Sequence, residues 1–310
     1  MVFAKFSRGF SPILDINPVE ISVYDQPVAV AGPDQNWCDI FSTTISAAPL
    51  TGSATGSWHI ISGTPNNPAY TQNVPTTTVA PLQEAGVYEF YYEALNGTCP
   101  ASRDTLTIYN NPIPQAGFTQ DEIEICQDGC IQFTNQSTIH PSAEITGFDW
   151  IIGGQFVDEP NPYVCFPTPG IMDVQLIVES NNGCYDTTYR PNAFEVYITP
   201  IAGFSTFLID DENTSTRIQV QDQSNFADNY WYSFGDGDST TLQNPVHEYY
   251  DSGFYDITQI VTNNFGCADT IVETINVQIL TVYVPNTFTP DGDLLNEGFA
   301  PIITGDDPSA

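Results

Sequence analysis

Seven cysteines and three histidines have the widest chemical reach in this 310-residue chain. Cys38, Cys99, Cys126, Cys130, Cys165, Cys184 and Cys267 include no CxxC pair, and His59, His140 and His247 lie far apart. Zinc sites draw on closely spaced thiolates and imidazoles, so this spacing points instead to disulfides made in an oxidising compartment. Oxygen donors gather twice. Asp291, Asp293, Asn296 and Glu297 share one loop, and Asp236-Gly237-Asp238 forms a tight turn. Both offer the hard oxygen ligands that Ca2+ takes, but neither has EF-hand spacing and Asp-Gly-Asp is also an ordinary turn sequence. Nothing else asks for a cofactor, and none is required. No phosphate loop or nucleophile elbow is present. His140 beside Pro141, His247 after Asn244-Pro245-Val246 and His59 beside Trp58 read as structural, so the chain is expected not to be an enzyme.

The formal charge of −33, with only five basic residues, repels nucleic-acid phosphates and anionic lipid headgroups. Metal cations and basic partner surfaces are compatible with it. Apolar residues at 41% and aromatics at 13% suffice for packed cores, so the acidity does not signal a disordered tail. Val, Ile, Tyr, Phe and Thr broken by Gly, Pro and Asn is strand-and-turn usage. No apolar run is long enough to span a bilayer. Residues 1–10 lack the apolar stretch of a signal peptide, placing any export signal upstream or already removed.

The elements that must position these residues are legible as repeats. Ala116-Gly117-Phe118 recurs as Ala202-Gly203-Phe204, and Gln132 to Ser137 is echoed by Gln219 to Ser224. Trp150-Ile151-Ile152-Gly153-Gly154 corresponds to Tyr232-Ser233-Phe234-Gly235-Asp236, Asn161-Pro162 to Asn244-Pro245, and the run ending at Cys184 to that ending at Cys267. Met172, Val174, Leu176 and Val178 alternate along one strand face. Tyr255, Ile257 and Val261 do the same in the second copy, with Gln259 breaking the series. Short alternating strands with frequent turn signals predict β-sandwiches.

The second copy, with Tyr232-Ser233-Phe234-Gly235-Asp236-Gly237, Asn244-Pro245 and Gly253-Phe254-Tyr255, resembles the PKD family of Ig-like domains; the first is a variant lacking the acidic hairpin. Residues from Ala29-Val30-Ala31-Gly32 through Trp58 to Tyr92 resemble the Ig-like repeats that accompany PKD domains in bacterial surface adhesins. The expected fold is all-β, tandem Ig-like/PKD sandwiches arranged as beads on a rod. Residues 1–26 hold the last strand of a preceding module, 27–111 an Ig-like sandwich, 112–199 a PKD-like sandwich and 200–279 a PKD sandwich. Residues 280–310 open with a run containing Pro285, Asn286, Phe288, Thr289, Pro290 and Gly292, which resembles the start of the gliding-motility-associated, type B sorting domain of type IX secretion.

Cysteine pairing is then expected within modules. Cys38 and Cys99 sit where an end-strand tie would join the first sandwich, contributing roughly 4 kcal/mol through loop closure. Of the three connectivities open to the middle module, Cys126–Cys184 and Cys130–Cys165 are favoured. Cys126 maps near Asn213 in the second copy, which leaves Cys267 a free, buried thiol. Cys130 and Cys165 map to Arg217 and Glu248, so these two are expected to face one another as an ion pair.

The resemblances imply a non-catalytic stalk or adhesion region of a surface adhesin or filament protein at the bacterial outer surface. The type IX machinery would be its partner, and surface glycans or other subunits would be further ones. The alternatives are the non-catalytic tail of a secreted hydrolase and a carbohydrate-binding module, the latter using Tyr249-Tyr250 or Tyr91-Tyr92. Alternation puts one ring of each pair in the core.

Overall fold

A computed structural model describes residues 22–61, 67–82, 85–209, 216–278, 281–283 and 302–304. All of its regular elements are strands, and they build tandem β-sandwich modules. No helix among the described residues is long and apolar enough to cross a membrane.

The first module has six strands: β1 (Gln35–Cys38), β2 (Thr43–Ser46), β3 (Thr55–Ile60), β4 (Thr76–Val79), β5 (Gly86–Leu95) and β6 (Ser102–Asn111). One sheet runs β1-β6-β5-β3 and β2-β4 forms the other, with β1 parallel to β6 and Cys38 beside Asn111. In β5 and β6 every second residue of the central stretch is buried, the period-2 pattern of a sheet with one wet face.

The second module contains β7 (Phe118–Gln120), β8 (Glu124–Cys126), β9 (Cys130–Asn135), β10 (Ile145–Ile152), β11 (Gln155–Val157), β12 (Tyr163–Cys165), β13 (Gly170–Ser180) and β14 (Tyr185–Tyr197). Its sheets are β11-β10-β13-β14-β8 and β12-β9-β7, and β8 is again parallel to the module's last strand. The third module has β15 (Phe204–Leu208), β16 (Arg217–Asp222), β17 (Asn229–Ser233), β18 (Ser239–Thr240), β19 (Val246–Glu248), β20 (Gly253–Thr262) and β21 (Ala268–Val277), in sheets β15-β16-β19 and β18-β17-β20-β21. A last antiparallel pair joins β22 (Thr281–Tyr283) to β23 (Ile302–Thr304).

Each module closes on its own core, centred on one large ring with a polar handle. Trp58, Trp150 and Tyr232 are fully buried at corresponding strand positions. Each donates to a backbone carbonyl of the loop beyond: Trp58 Nε1 to Pro75 O (3.3 Å), Trp150 Nε1 to Glu159 O (2.8 Å) and Tyr232 Oη to Gln243 O (3.1 Å). Burying such a ring requires that partner. A second staple recurs in all three modules: the amide before each Ala-Gly glycine, on Ala31, Ala116 and Ala202, donates to Asp104, Asp186 and Asp269 at 2.7–2.8 Å.

The register explains why Gln259 interrupts its strand. Trp150 lies opposite Leu176, and Tyr232 opposite Gln259. Gln259 is 0% exposed, and both ends of its amide are used. Nε2 donates to Tyr232 Oη (2.8 Å), Asp222 Oδ1 (3.0 Å) and Ser224 Oγ (3.0 Å), while Oε1 accepts from Gly203 N (2.8 Å). A polar residue at an apolar position is tolerated because nothing on it is left unpaired.

Ser22 to Tyr24, where the end of a preceding strand is expected, belong to no strand. An extended segment counts as one only when a neighbour takes up its backbone hydrogen bonds.

Candidate functional site at the module junctions and the acidic hairpin

The cysteines define the first site. Cys130 and Cys165 face one another across β9 and β12 and are bonded within the second module. The other two bonds join modules: Cys38 to Cys184 and Cys126 to Cys267, with Cα atoms 5.7 and 5.6 Å apart. These bonds overturn the expected Cys38–Cys99 and Cys126–Cys184 ties and the expected free thiol at Cys267. The reason is strand length. Cys38 sits beside Asn111, the last residue of β6, while Cys99 precedes the first, Ser102, so ten strand residues put them about 30 Å apart. Cys126 lies beside Tyr197 at the end of β14 and Cys184 just before its start, roughly 40 Å away. The strand end that carries Cys38 or Cys126 is where the chain leaves for the next module. There it meets that module's last hairpin turn, which holds Cys184 or Cys267.

Packing around the second junction adds to the covalent tie. The rings of Tyr197 and Phe265 stack at 4.1 Å, Asn263 Nδ2 donates to Ile198 O (2.8 Å), and Thr199 Oγ1 donates to Gln127 O (3.4 Å). Cys184 and Cys267 are 0% and 1% exposed, whereas Cys99, the free thiol, is partly exposed.

Arg217 and Glu248 lie directly opposite each other in β16 and β19, the register that Cys130 and Cys165 occupy one module earlier. Their charged ends do not form the expected ion pair: among the described residues the oppositely charged side-chain pairs within 4.0 Å are Arg103–Glu93, His59–Glu93 and His247–Asp236. Both side chains are exposed. An exposed pair gains about 0–1 kcal/mol, too little to hold two long side chains in one geometry.

The second site is the acidic hairpin. Phe234 N donates to Asp238 O (3.0 Å), and Gly235 and Gly237 take φ of +81° and +108°. Sequence reasoning set His247 aside as structural, yet its Nε2 meets Asp236 Oδ2 at 2.6 Å while its ring stacks on Phe234 at 4.0 Å. Asp236, Asp238 and His247 thus bring three donor atoms within 4.8 Å of one another, a mixed oxygen and nitrogen set. Burial alone would raise the Asp236 carboxyl. Hydrogen bonds from the Asp238 amide and His247, with the imidazole's charge, bring it below the usual carboxylate range instead.

A Cβ at Gly235 would lie 2.9 Å from Asp256 O and 3.0 Å from Asp256 N, backbone atoms that cannot step aside. Gly235→Ala should therefore destabilise the third module by about 2–4 kcal/mol, from left-handed strain plus the clash. Gly154→Ala, at φ +82° with open space around it, should lower the second module's stability by only about 1 kcal/mol. Urea titrations of the two variants check the order; equal losses would contradict it.

Asp291, Asp293, Asn296 and Glu297, together with Pro285, Asn286, Phe288, Thr289, Pro290 and Gly292, lie outside the described residues. Of the aromatic pairs weighed for sugar stacking, Tyr249 and Tyr92 are buried, and Tyr250 and Tyr91 are not.

Comparison with known proteins adds the family. The family model described as "PKD domain" matches residues 199–279. The third module belongs to the PKD family. The chain is similar to the PKD1 domain of the Vibrio cholerae metalloprotease PrtV, at 30% identity over 26% of this chain and 98% of that one, with a TM-score of 0.23. The PKD1 domain of Vibrio anguillarum Epp is similar at 21% identity over 26% and 95%, TM-score 0.23. Across more of this chain, titin domains I67–I69 match at 13% identity over 79% and 96%, TM-score 0.45. No curated protein matches. PKD and Ig-like modules are typically non-catalytic, and a PKD module tied by disulfides suits an extracellular protein.

Proposed function

We propose that this region is a non-catalytic, load-bearing stalk of a secreted bacterial surface adhesin or filament protein, held at the outer surface after export by type IX secretion. The observation that carries the reading is the pair of bonds Cys38–Cys184 and Cys126–Cys267, which tie each module to the next rather than only to itself. A catalytic scaffold needs rigidity around one cleft; a stalk needs it from module to module. Short proline-bearing linkers, Asn111-Pro112 and Thr199-Pro200, restrict the same joints. The type IX part rests on the resemblance of the segment from residue 280, and its own test is deletion of that segment and its continuation: the protein should stay in the cell, and unchanged secretion would refute it. Small-angle scattering should give an extended rod whose length falls on reduction; a compact particle would contradict the stalk.

This reading requires no cofactor. Calcium at the Asp291–Glu297 loop remains a proposal, supported by a higher melting temperature in calcium than in chelator and refuted by identical ones.

A second reading is favoured by one similarity: the PrtV PKD1 domain belongs to a metalloprotease. The same modules could then be the non-catalytic tail of a secreted hydrolase. The full-length gene separates the two, because a peptidase or glycosidase domain upstream would replace the adhesin reading.

A further inference from the structure

Cys99 is the one cysteine outside the three bonds, and its surroundings repeat those of two that are bonded. From the residue facing each core ring, Tyr92, Leu176 or Gln259, four positions lead to Asn96, Ser180 or Asn263 at the start of the last hairpin turn. Cys184 and Cys267 close their turns opposite Ser180 and Asn263, whose amides donate to the cysteine carbonyls, while the cysteine amides donate back to Ser180 Oγ and Asn263 Oδ1. Extending the β5–β6 register sets Pro100 opposite Asn96, with Cys99 one residue before it and its amide donating to Asn96 O (3.1 Å).

The incoming chain also repeats. Cys38 and Cys126 lie parallel to Asn111 and Tyr197, each five residues before an Ala-Gly pair. The residue five before Ala31-Gly32 is Gln26. The segment around Gln26 lies over the turn of Cys99 as its counterparts lie over theirs. Asn96 Nδ2 donates to Asp25 O (3.0 Å), as Asn263 Nδ2 does to Ile198 O. Gln26 Nε2 reaches Pro100 O (3.4 Å), and Cys99 Sγ lies 3.6 Å from Tyr24 O. The Tyr24 ring covers Gly97, where an added Cβ would meet it at 2.6 Å. This is the junction of the other two modules with only one of its cysteines in this sequence.

We infer that Cys99 forms a third inter-module disulfide, with a cysteine at the end of the parallel first strand of an Ig-like module that precedes residue 22 in the full polypeptide. The two bonds present span 146 and 141 residues, and the same span back from Cys99 reaches N-terminal to Met1. The partner strand would run parallel to Tyr24–Gln26, as β1 runs beside β6. The bond forms by thiol–disulfide exchange with a disulfide-bonded oxidant of the export compartment. One cysteine thiolate attacks the oxidant's disulfide, releasing one of its thiols and leaving a mixed disulfide. The other thiolate then displaces the second oxidant thiol, so the two cysteines lose two electrons and the oxidant departs as a dithiol.

The test uses the full-length exported protein, blocked with N-ethylmaleimide without reduction, digested and read by mass spectrometry. Cys99 should appear in a peptide bridged to an upstream cysteine about 140–150 residues earlier, as the two existing separations indicate. In Cys99→Ser the count of maleimide-labelled thiols should rise by one, because its partner is released. A maleimide on wild-type Cys99, a bridge to a second copy or to a small thiol, or a count that falls or stays level in Cys99→Ser would each overturn the inference.

Discussion

Pulled between residues 22 and 278 with its disulfides intact, the unfolded chain should stretch to only about 200 Å, against roughly 900 Å after reduction. The limit follows from connectivity. A taut path leaves residue 22, crosses from Cys38 to Cys184 and runs back to Cys165. It then crosses to Cys130, reaches Cys126 and crosses to Cys267. The two inter-module loops interleave, and the bond within the second module shortens the segment they share. Most of all three modules therefore lies off the force path, and unfolding them releases little length. Single-molecule pulling with and without reductant measures the contrast. Loss of either inter-module bond alone would leave a limit near about 400 Å, so that value in the oxidised protein would count against the pairing described above.

The second large effect is expected at Gln259. Truncation to alanine should destabilise the third module by about 3 kcal/mol, combining a cavity with the loss of donors and acceptors in a closed core. Leucine, which the second module carries at this position as Leu176, should restore the volume but not the stability. A net loss of about 1–2 kcal/mol would remain, because the Gly203 amide and Asp222 each lose a partner. The pH dependence gives an independent readout. Burial alone would raise the Asp222 carboxyl. Ser224 and Gln243, along with Gln259, donate to it and hold it below the usual carboxylate range. A lowered folded-state pKa contributes stability that is present above the unfolded value and is lost as pH falls through the folded one. In Gln259→Leu the carboxylate loses a donor, so acid unfolding of this module should begin at higher pH than in the wild type. An unshifted acid transition would show that the network does not act as a unit. Tyr232, pushed up to about 12 chiefly by burial, stays neutral across this range and remains a donor to Gln243 O.

Much of the sandwich architecture is legible in residue order, because a strand's burial follows a two-residue period that side chains announce locally. Trp58, Trp150 and Tyr232 mark the cores, and Asn161-Pro162 and Asn244-Pro245 mark one recurring loop. In that loop Gln132 and Gln219 donate to the same set of carbonyls in both copies. The equivalence of Cys130–Cys165 and Arg217–Glu248 positions is likewise a matter of register, which the duplication carries. That the second pair stops short of an ion pair depends on solvent, which strand alternation does not encode. The acidic hairpin shows the same division: its glycines announce the turn, but the approach of His247 to Asp236 depends on how β19 packs against it.

The cysteines mark the boundary most clearly. Their spacing and the repeats determined that they suit disulfides rather than a metal, and that Cys184 and Cys267 occupy matching turns. Cys130–Cys165 was legible too, but how the other cysteines pair was decided only in three dimensions. A disulfide needs Cα atoms within about 7 Å. Cysteines at opposite ends of one long strand cannot meet that requirement, however closely they share a module. The docking of one sandwich's last turn against the previous sandwich's parallel edge strand does meet it, and no periodicity within either module reports that contact.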